Sequence, residues 1–254
     1  MQTYVVIPNY IITEEVKKLA IQTIKSFQET SEVIIVAVDD GSPMDTKFLE
    51  EMADVYIRNE KNFGFAKTCN DGFRWIFENE KDDCFIVCAN NDIEVYDGWH
   101  EAMKNPFDKY DNVAVTGICH SQEREIDGKK LKDIHGSKVT DGGLIGGLMQ
   151  DGGLWMSKKS ILQKVGIFDE IFKRGGHEDI DLFLRMRDTF GMRIIMSEAA
   201  WYWHKEGATR WNTEIADFRN ESMMFEMGNL NKFIEKWKFN PHSSQIWYSK
   251  ELIS

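Results

Sequence analysis

The sequence predicts an α/β fold: a mostly parallel central sheet flanked by helices, with a helical extension at the C-terminal end. Two observations carry this prediction. In the first half of the chain, apolar runs of strand length alternate with amphipathic runs of helix length, and the loops between them are short. Such alternation is typical of parallel sheets covered by helices on both faces. Beyond residue 214, the sequence pattern looks helical.

The elements of the first half follow in order. TYVVIPNY, EVIIVAV, ADVYIRN and CFIVCAN are apolar, β-branched runs bounded by turn residues, and each predicts a buried strand. TEEVKKLAIQTIKSF predicts a helix that Thr13 caps, with an apolar face made of Val16, Leu19, Ile21 and Ile24. GFAKTCNDGFRWIFEN predicts a second helix, because its apolar residues recur at helical spacing.

The second half has a looser pattern. NVAVTGI predicts a strand, LWMSKKSILQKVG a strand that turns into a short helix, HEDIDLFLRMRDTFG a helix, and RIIMSEAAWYWH a strand. Residues 120–150 are polar and glycine-rich, which predicts a mobile loop. NTEIADFRNESMMFEMGNLNKFIEKWKF predicts helical structure with a break at Gly228.

No linker divides the chain into independent domains. We therefore expect one domain over residues 1–214, made of two lobes at 1–100 and 101–214. Residues 215–254 form the predicted helical extension. The chain has 254 residues and is 42% hydrophobic, which is enough for a buried core.

Composition and charge exclude several classes of protein. The formal net charge of −11 opposes binding of a polyphosphate chain, so we expect no long nucleic acid as a partner. The four cysteines lack metal-ligand spacing and predict reduced thiols, which favours a cytoplasmic setting. The N-terminus does not have the pattern of a signal peptide, and no apolar run is long enough to predict a membrane span.

Polar clusters follow several predicted strands, at the edge of a parallel sheet where ligands bind. In DDGS, Asp39 and Asp40 could accept hydrogen bonds from a ribose or a base, or could simply cap a turn. In KNFGFAK, Asn62, Gly64 and Lys67 could contact an anion at a helix N-terminus, or could merely begin the helix.

A second group of polar residues has the chemistry of a metal site. Asn90, Asn91 and Asp92 end a strand, and Asp92 offers the hard oxygen ligand that Mg²⁺ and Mn²⁺ prefer. A strand-end turn satisfied by asparagines is the structural alternative. His204 could be a second ligand or an ordinary core histidine.

Taken together and in order, seven segments resemble family 2 glycosyltransferases of the GT-A fold, a Rossmann-like α/β fold. The segments are VVIPNY, VAVDDGSPMDT, NFGFAKTCNDGF, CANNDIEV, GGLWMSKKSILQKVGIFDE, HEDIDLFLRMRDTFG and WHKEGATR. The resemblance implies inverting transfer of a sugar from a nucleotide diphosphate donor, most commonly a UDP-sugar, with a divalent metal such as Mn²⁺ or Mg²⁺. The implied acceptor is a hydroxyl of a glycan, a glycolipid or a similar molecule, as in polysaccharide biosynthesis.

The resemblance also implies roles for individual residues. Asp39, in preference to Asp40, lies near the donor base, which Pro8 and Tyr10 frame. The loop with Asn62, Gly64 and Lys67 lies against the nucleotide. Further donor contacts are implied at Asn90, Asn91, Lys205 and Arg210. The last two could clamp the diphosphate when their loop closes.

The implied metal ligands are Asp92 and His204. The family has Asp-x-Asp where this chain has Asn90-Asn91-Asp92. Asn90 therefore stands where the family has an acid, and it adds no charge.

Three acids, Glu178, Asp179 and Asp181, begin the HEDIDL helix. Acids there complement the helix dipole, which is the structural explanation for them. The family's Glu-Asp pair matches Glu178 and Asp179, and the match implies that Asp179 is the general base and Glu178 orients the acceptor. Asp181 is expected to brace the helix with Arg185 at i+4.

Trp155 and Gly153 are predicted acceptor-side contacts. A catalytically inactive nucleotide-sugar or carbohydrate-binding module is the main alternative to an enzyme, and Asn90 favours it. A sugar-nucleotide pyrophosphorylase ranks lower, because PNYIITEE is neither glycine-rich nor basic. Peripheral contact with the inner face of a membrane through the C-terminal helices stays open, as does the oligomeric state.

Overall fold

The structure of the chain is a computed structural model that describes residues 1–141, 152–209, 216–241 and 251–253. Within these residues, the strands form one ten-stranded mixed sheet and a separate two-stranded hairpin. The strands are β1 (Thr3–Asn9), β2 (Ile34–Asp39), β3 (Val55–Arg58), β4 (Phe85–Ala89), β5 (Ile93–Val95), β6 (Val113–Ser121), β7 (Glu125–Ile126), β8 (Lys129–Lys130), β9 (Val139–Asp141), β10 (Leu154–Lys158), β11 (Arg193–His204) and β12 (Glu251–Ile253).

The sheet is parallel in its N-terminal half and mixed beyond it. Its order is β12-β9-β11-β6-β10-β4-β1-β2-β3, and β5 pairs with β11. Strands β3, β2, β1 and β4 are parallel to one another. Strand β10 runs antiparallel between β4 and β6, while β11 is parallel to β6. The carboxyl ends of β1, β2 and β4 therefore meet at one edge.

Seven helices cover the two faces of this sheet within the described residues. They are α1 (Glu14–Thr30), α2 (Lys47–Met52), α3 (Phe65–Asn79), α4 (Trp99–Lys109), α5 (Lys159–Val165), α6 (Glu178–Leu184) and α7 (Ala216–Trp237). A π-helical turn, Arg185–Thr189, continues α6, and a short 3₁₀ turn spans Leu131–Asp133.

Two apolar clusters, one on each face of the sheet, form the core. Side chains from α3, α5, α6 and α7 pack on one face, and side chains from α1, α2 and α4 pack on the other. Helix α3 comes especially close to the sheet at Gly72, where an added Cβ would lie 2.5 Å from Cγ1 of Val6. This close packing fixes the N-terminus of α3 at the carboxyl edge of β1.

The predicted fold class is confirmed, and so are the strands and helices predicted in the first half of the chain. Thr13 caps α1 as expected, because its Oγ1 accepts a hydrogen bond from the Val16 N–H at 3.3 Å. The buried face of α1 differs in part from the prediction. Ala20 and Phe27 are buried, whereas Leu19 and Ile21 are only half-buried.

The predicted loop over residues 120–150 needs a correction. Its described part contains the β7–β8 hairpin, a 3₁₀ turn and the strand β9. Strand β9 pairs with β11 and β12, so its backbone hydrogen bonds come from distant segments that local sequence does not reveal. Residues 142–150 of that prediction lie outside the described residues.

The predicted break at Gly228 is also wrong, because α7 runs through this residue from Ala216 to Trp237. Glycine within a helix costs about 1 kcal/mol relative to alanine, and the burial of Phe233 later in the helix offsets that cost. The division at residue 214 stays a prediction. Across the described part of the chain, no helix has both the length and the apolarity needed to cross a membrane.

Candidate active site

A cleft of about 350 Å³ opens at the edge where β1, β2 and β4 end. Most of the side chains predicted for the site line this cleft, although they come from widely separated parts of the chain. They are Pro8, Tyr10, Asp40, Asn62, Gly64, Asn90, Asn91, Asp92, Gly153, Glu178, Asp179 and His204.

Asn9 ties the strand ends together beneath the cleft. It lies in register with Asp39 on the neighbouring strand, and its backbone carbonyl accepts a hydrogen bond from the Asp40 N–H at 2.8 Å. Its side-chain oxygen accepts one from Nδ2 of Asn91 at 3.3 Å. The polar clusters that follow β1, β2 and β4 are thus held in one place by direct hydrogen bonds.

Asp39 does not line the cleft. Its fully buried carboxylate accepts hydrogen bonds from Oγ of Ser42 at 2.5 Å, Oγ1 of Thr46 at 2.8 Å and the Tyr56 hydroxyl at 3.1 Å. It also pairs with the guanidinium of Arg58. These contacts make Asp39 the centre of a structural network under the turn, so the predicted preference for Asp39 over Asp40 as the base contact is not supported.

Asp40 faces the cleft and orders the loop beside it. Its Oδ1 accepts hydrogen bonds from Nδ2 of Asn59 and the Phe63 N–H, both at 3.0 Å, and its Oδ2 accepts one from the Gly64 N–H at 2.8 Å. Gly64 has φ 98°, a left-handed conformation that favours glycine, and an added Cβ would lie 2.5 Å from the backbone nitrogen of Arg174. The loop before α3 is therefore pinned between Asp40 and the segment before α6.

None of the three cationic side chains predicted to contact the donor is among the described residues that line the cleft. Lys67 pairs with Asp71 one helical turn later and is not part of the cleft wall. Lys205 is exposed and does not line the cleft, although its neighbours His204 and Glu206 do. Arg210 lies outside the described residues. The phosphate contacts assigned to these three side chains stay predictions.

Trp155 is a core residue and not a wall of the cleft. It is fully buried on β10, with ring centroids 5.9 Å from Phe73, 5.8 Å from Phe168 and 5.9 Å from Phe183. Contact with an acceptor would require it to leave this packing, so its predicted role is corrected. Gly153, two residues earlier, does line the cleft.

Asp92 and His204 meet where β4 and β11 end. Oδ1 of Asp92 lies 3.3 Å from Nε2 of His204, and both side chains are buried. Nδ2 of Asn90 lies 3.2 Å from the same imidazole nitrogen. Oδ1 of Asn90 is buried without a hydrogen-bond partner among the described residues. This group offers a carboxylate, an imidazole and an amide oxygen, which is a donor set suited to a divalent cation.

Glu178 and Asp179 line the same cleft, at the start of α6. Glu178 is buried and Asp179 is half-buried. Oδ1 of Asp179 accepts a hydrogen bond from the Ile180 N–H at 2.8 Å. The backbone of Gly152 lies so close that an added Cβ would be 2.6 Å from Oδ2 of Asp179. The glycine therefore leaves room for the carboxylate at the cleft surface.

Asp181 points away from the cleft, into the base of α6. Its fully buried carboxylate accepts hydrogen bonds from Nε of Arg185 at 3.0 Å and Nε1 of Trp237 at 2.8 Å, and lies 2.8 Å from Nζ of Lys236. The predicted brace with Arg185 is confirmed. Two of the three partners, Lys236 and Trp237, are the last residues of α7. The C-terminal helix is therefore anchored on the helix that carries the acids.

Helix α7 also holds the segment that leads into the acids. Fully buried Asn229 accepts a hydrogen bond from the Lys173 N–H at 3.0 Å and donates to the carbonyls of Lys173 at 2.7 Å and Gly175 at 3.2 Å. His177, the residue before the acids, has left-handed backbone with φ 74°, and its ring centroid lies 5.8 Å from that of Phe233. The position of the acids thus depends on α7.

Several cleft residues escape prediction from the sequence. Arg174 lines the cleft, pairs with Glu221 at 3.3 Å and has its guanidinium carbon 5.6 Å from the Phe225 ring centroid. Ser222 on α7 and Glu206 after β11 also line it. The arginine could have been suspected, because a cation directly before Gly175-Gly176 sits beside the acid motif. The other two positions carry no local signal.

Comparisons with known proteins agree with this architecture. Residues 4–166 match the sequence profile of the family described as Glycosyl transferase family 2. No curated protein sequence matches the chain significantly. The GalNAc-T7 crystal structure with UDP, GalNAc and Mn²⁺ is similar, with a TM-score of 0.61 and 15% identity over 80% of this chain and 43% of that chain.

Staphylococcus aureus TarS is a second structural relative. Its fragment 1–349 has a TM-score of 0.57 and 14% identity over 97% of this chain and 75% of that chain. The same fragment in complex with UDP has a TM-score of 0.56 and 15% identity, covering 92% and 72%. At these identities the likeness shows the shared GT-A fold alone, and this chain spans less than half the length of GalNAc-T7. The profile match extends over more than half of the chain and the fold agrees with it: this chain belongs to glycosyl transferase family 2.

Proposed function

We propose that this chain is an inverting glycosyltransferase that moves a sugar from a nucleotide diphosphate donor to a hydroxyl group of an acceptor. One observation carries the proposal. A carboxylate pair at the start of α6 and an acid–histidine pair at the ends of β4 and β11 share a single cleft. Inverting transfer needs a base that faces the acceptor and groups that hold the leaving diphosphate, and the two pairs supply these functions.

The proposed donor is a UDP-sugar, because both GalNAc-T7 and TarS have been crystallised with UDP. We assign the base contact to Asp40, framed by Pro8 and Tyr10, because all three line the cleft. An ionised carboxylate has about four positions that accept hydrogen bonds. In Asp40, donors from the described residues occupy three of these positions. The remaining position can accept an N–H of a base.

Asp92 and His204 fit the divalent cation, Mn²⁺ or Mg²⁺, that the family implies. Their 3.3 Å separation is close to the roughly 3 Å between neighbouring ligands around one octahedral ion. Oδ1 of Asn90, which has no hydrogen-bond partner within the described part of the chain, lies beside them and adds a neutral oxygen. Bound there, the cation would stabilise the negative charge on the leaving diphosphate.

In the proposed reaction, the oxygen of the acceptor hydroxyl bonds to the anomeric carbon of the sugar, and Asp179 accepts the proton of that hydroxyl. The attack comes from the side opposite the diphosphate, so the bond from that carbon to the diphosphate oxygen breaks and the oxygen keeps the electron pair. Glu178, buried next to Asp179, orients the hydroxyl. The acceptor class we propose is a glycan, a glycolipid or a similar hydroxyl compound.

A catalytically inactive nucleotide-sugar-binding module is the second candidate, because neutral Asn90 stands where the family pattern has an acid. The test begins with a thermal-shift screen of nucleotide sugars with and without Mn²⁺. A donor at 100 times its Kd stabilises the folded state by about 2.7 kcal/mol, so the right nucleotide should stand out.

Transfer of the sugar is then measured with glycan and glycolipid acceptors. We expect a UDP-sugar to stabilise the protein more with Mn²⁺ than without it, and to be consumed when an acceptor is present. Stabilisation without transfer to any acceptor would favour the binding module. If no nucleotide sugar stabilised the protein under either condition, the proposal would be wrong.

A further inference from the structure

Two side chains outside the predicted ligand pair, His120 and Glu206, form a group of possible metal ligands with His204, and this group does not include Asp92. Glu206 and His204 line the cleft, and His120 lies behind them on β6. His120 lies near the end of β6, and Glu206 follows the end of β11. One ligand atom from each of the three side chains lies within 4.8 Å of the other two, and Nε2 of His120 is 3.0 Å from Oε1 of Glu206. Ligands bound to a single ion at 2.0–2.2 Å stand roughly 3 to 4.4 Å apart. The cluster therefore has nearly the dimensions of a metal site.

The backbone turns sharply to deliver Glu206 to this place. Glu206 has φ 56° and Gly207 has φ 69°, so the chain enters the left-handed region at two consecutive residues. A non-glycine residue there is uncommon, and such conformations cluster at functional sites. The turn brings the Ala208 N–H to 3.3 Å from Oδ2 of Asp92, which leaves Oδ1 of Asp92 facing His204.

The carboxylate of Glu206 is also fixed on its outer side. Nε2 of Gln122 donates a hydrogen bond to Oε2 of Glu206 at 2.6 Å, while Oε1 faces His120. A metal site needs ligands whose orientation is set by further hydrogen bonds, and Gln122 supplies one. The ring centroids of His120 and His204 are 5.7 Å apart, so both imidazoles border the same space.

Charge explains why this chain would need an additional ligand. Asn90 replaces an acid of the family pattern, so Asp92 is the one charged residue of that motif in this sequence. The affinity of an oxygen site for a hard divalent cation is tuned by the number of charged ligands. Glu206 supplies a second carboxylate within 4.8 Å of His204, where it can restore the charge that Asn90 lacks.

We propose that Glu206 and His120 complete the ligand set of the divalent cation, together with Asp92 and His204. This inference rests on the proposed function, since it concerns the cation of the same donor site. The competing explanation is that the His120–Glu206 contact is only a latch that holds the loop after β11 against β6. The two explanations differ in what they predict for metal binding in the absence of donor.

The test measures Mn²⁺ binding directly, by the loss of the free-ion signal in electron paramagnetic resonance. Glu206→Gln should raise the Kd for Mn²⁺ by about 10–100-fold or more, since removing even an outer partner of a metal ligand has effects of that size. The matched control is Glu101→Gln, which removes the same charge from the exposed surface of α4. Asp92→Asn serves as the positive control and should also weaken Mn²⁺ binding.

A spectroscopic measurement identifies His120 as a ligand. Electron spin-echo modulation of bound Mn²⁺ should show coupling to ¹⁴N from two imidazoles in the wild type and from one in His120→Gln. Unchanged Mn²⁺ affinity in Glu206→Gln, with unchanged modulation in His120→Gln, would overturn the inference in favour of the latch. Thermal unfolding of each variant checks that it folds.

The outcomes separate this inference from the proposed function. If Asp92→Asn loses Mn²⁺ while Glu206→Gln keeps it, the cation site exists without the two added ligands and only this inference fails. If the wild type binds no Mn²⁺, with or without UDP, the inference also fails, and sugar transfer in the presence of a chelator then decides the proposed function independently.

Discussion

Asp179 and Asp181 stand two residues apart on one helix and have opposite environments. Asp179 lies at the cleft surface beside Gly152, whereas the carboxylate of Asp181 is fully buried between Arg185 and Trp237. Residues two positions apart are separated by roughly 200° around an α-helix, so they must face different sides. This geometry agrees with the proposal that Asp179 serves as the base and Asp181 supports the fold, and the two roles can be tested separately.

Asp179→Asn keeps the size of the side chain and removes its basicity. We expect it to reduce turnover by roughly 10²–10⁴-fold, the range for general base catalysis, while Kd for the donor stays within a few-fold of wild type. Asp181→Asn should instead lower the free energy of unfolding by about 1–3 kcal/mol, since it weakens hydrogen bonds to charged partners. Turnover and chemical denaturation of both variants are the measurements. Near-normal turnover in Asp179→Asn together with an inactive but folded Asp181→Asn would reverse the assignment.

Gly152 offers a test that leaves the chemical identity of every functional side chain unchanged. In Gly152→Ala the new Cβ would lie 2.6 Å from Oδ2 of Asp179, which must move the carboxylate. We expect kcat to fall by about tenfold or more, because misplacing a catalytic group by an ångström can cost up to about 10² in rate. Donor affinity should change little.

The matched control is Gly228→Ala on α7, where an added Cβ meets nothing within 4 Å. This change should raise the free energy of unfolding by roughly 0.5–1 kcal/mol and leave kcat unchanged, because alanine is the better helix former. Equal losses of kcat in the two variants would show that the effect at Gly152 is not specific to Asp179.

The sequence predicts most of the cleft, but it does not resolve which neighbour faces inward. Asp39 and Asp40 follow a strand that is buried on both faces, so no alternation of polar and apolar residues marks the side that each one faces. Trp155 lies on β10, between β4 and β6, and its indole is buried in the core. This strand is also buried on both faces, so its sequence does not show which side Trp155 faces. His120 and Glu206 meet only because β6 and β11 are neighbours in the sheet, a contact between segments far apart in sequence.

The predicted elements succeed where their hydrophobic pattern is periodic, as in β1, β2, β4, α1 and α3. Helix α4 is not predicted from the sequence, and it contains Pro106, which removes a backbone hydrogen bond. Buried Trp99 and Met103 hold this helix on the sheet despite the proline. Strand β9 is not predicted from the sequence because its pairing partners, β11 and β12, are far from it along the chain.

Helix α7 tests whether an element outside the family match supports the site. Asn229 holds the backbone of Lys173 and Gly175 with three hydrogen bonds, and this segment leads to Glu178. Asn229→Ala should lower kcat about tenfold with donor affinity unchanged, because the acids lose their fixed position. It should also cost about 1–3 kcal/mol of stability, since buried backbone groups lose their partners.

Asn79→Ala is the control for this prediction, because Asn79 makes one exposed hydrogen bond, to the Trp75 carbonyl. It should change neither quantity measurably. If Asn229→Ala were destabilised but turned over at the wild-type rate, α7 would support the fold without positioning the acids.

The molecule as a whole buries all four of its cysteines as free thiols, Cys69, Cys84, Cys88 and Cys119. They lie in the core built from strands and helices of both halves of the sheet, apart from the cleft. Burial raises the pKa of Cys84 and of Cys119 to about 12. Burial and the neighbouring Cys88 also raise the pKa of Cys69. Because the thiolate is the reactive form, the folded protein should resist thiol reagents.

At pH 8 the thiolate fraction of a group with a pKa near 12 is roughly 10³-fold smaller than that of an exposed cysteine, whose pKa is near 8.5. We therefore expect no reaction with Ellman's reagent in the native state during the time that free cysteine needs to react completely. In denaturant, all four thiols should react. At intermediate denaturant concentrations, the extent of labelling should follow the loss of the far-ultraviolet circular dichroism signal, because the core that contains the thiols opens only when the sheet unfolds. One thiol that reacts quickly in the native protein would contradict this expectation, and mass spectrometry of the labelled peptide would identify the part of the core that opens separately.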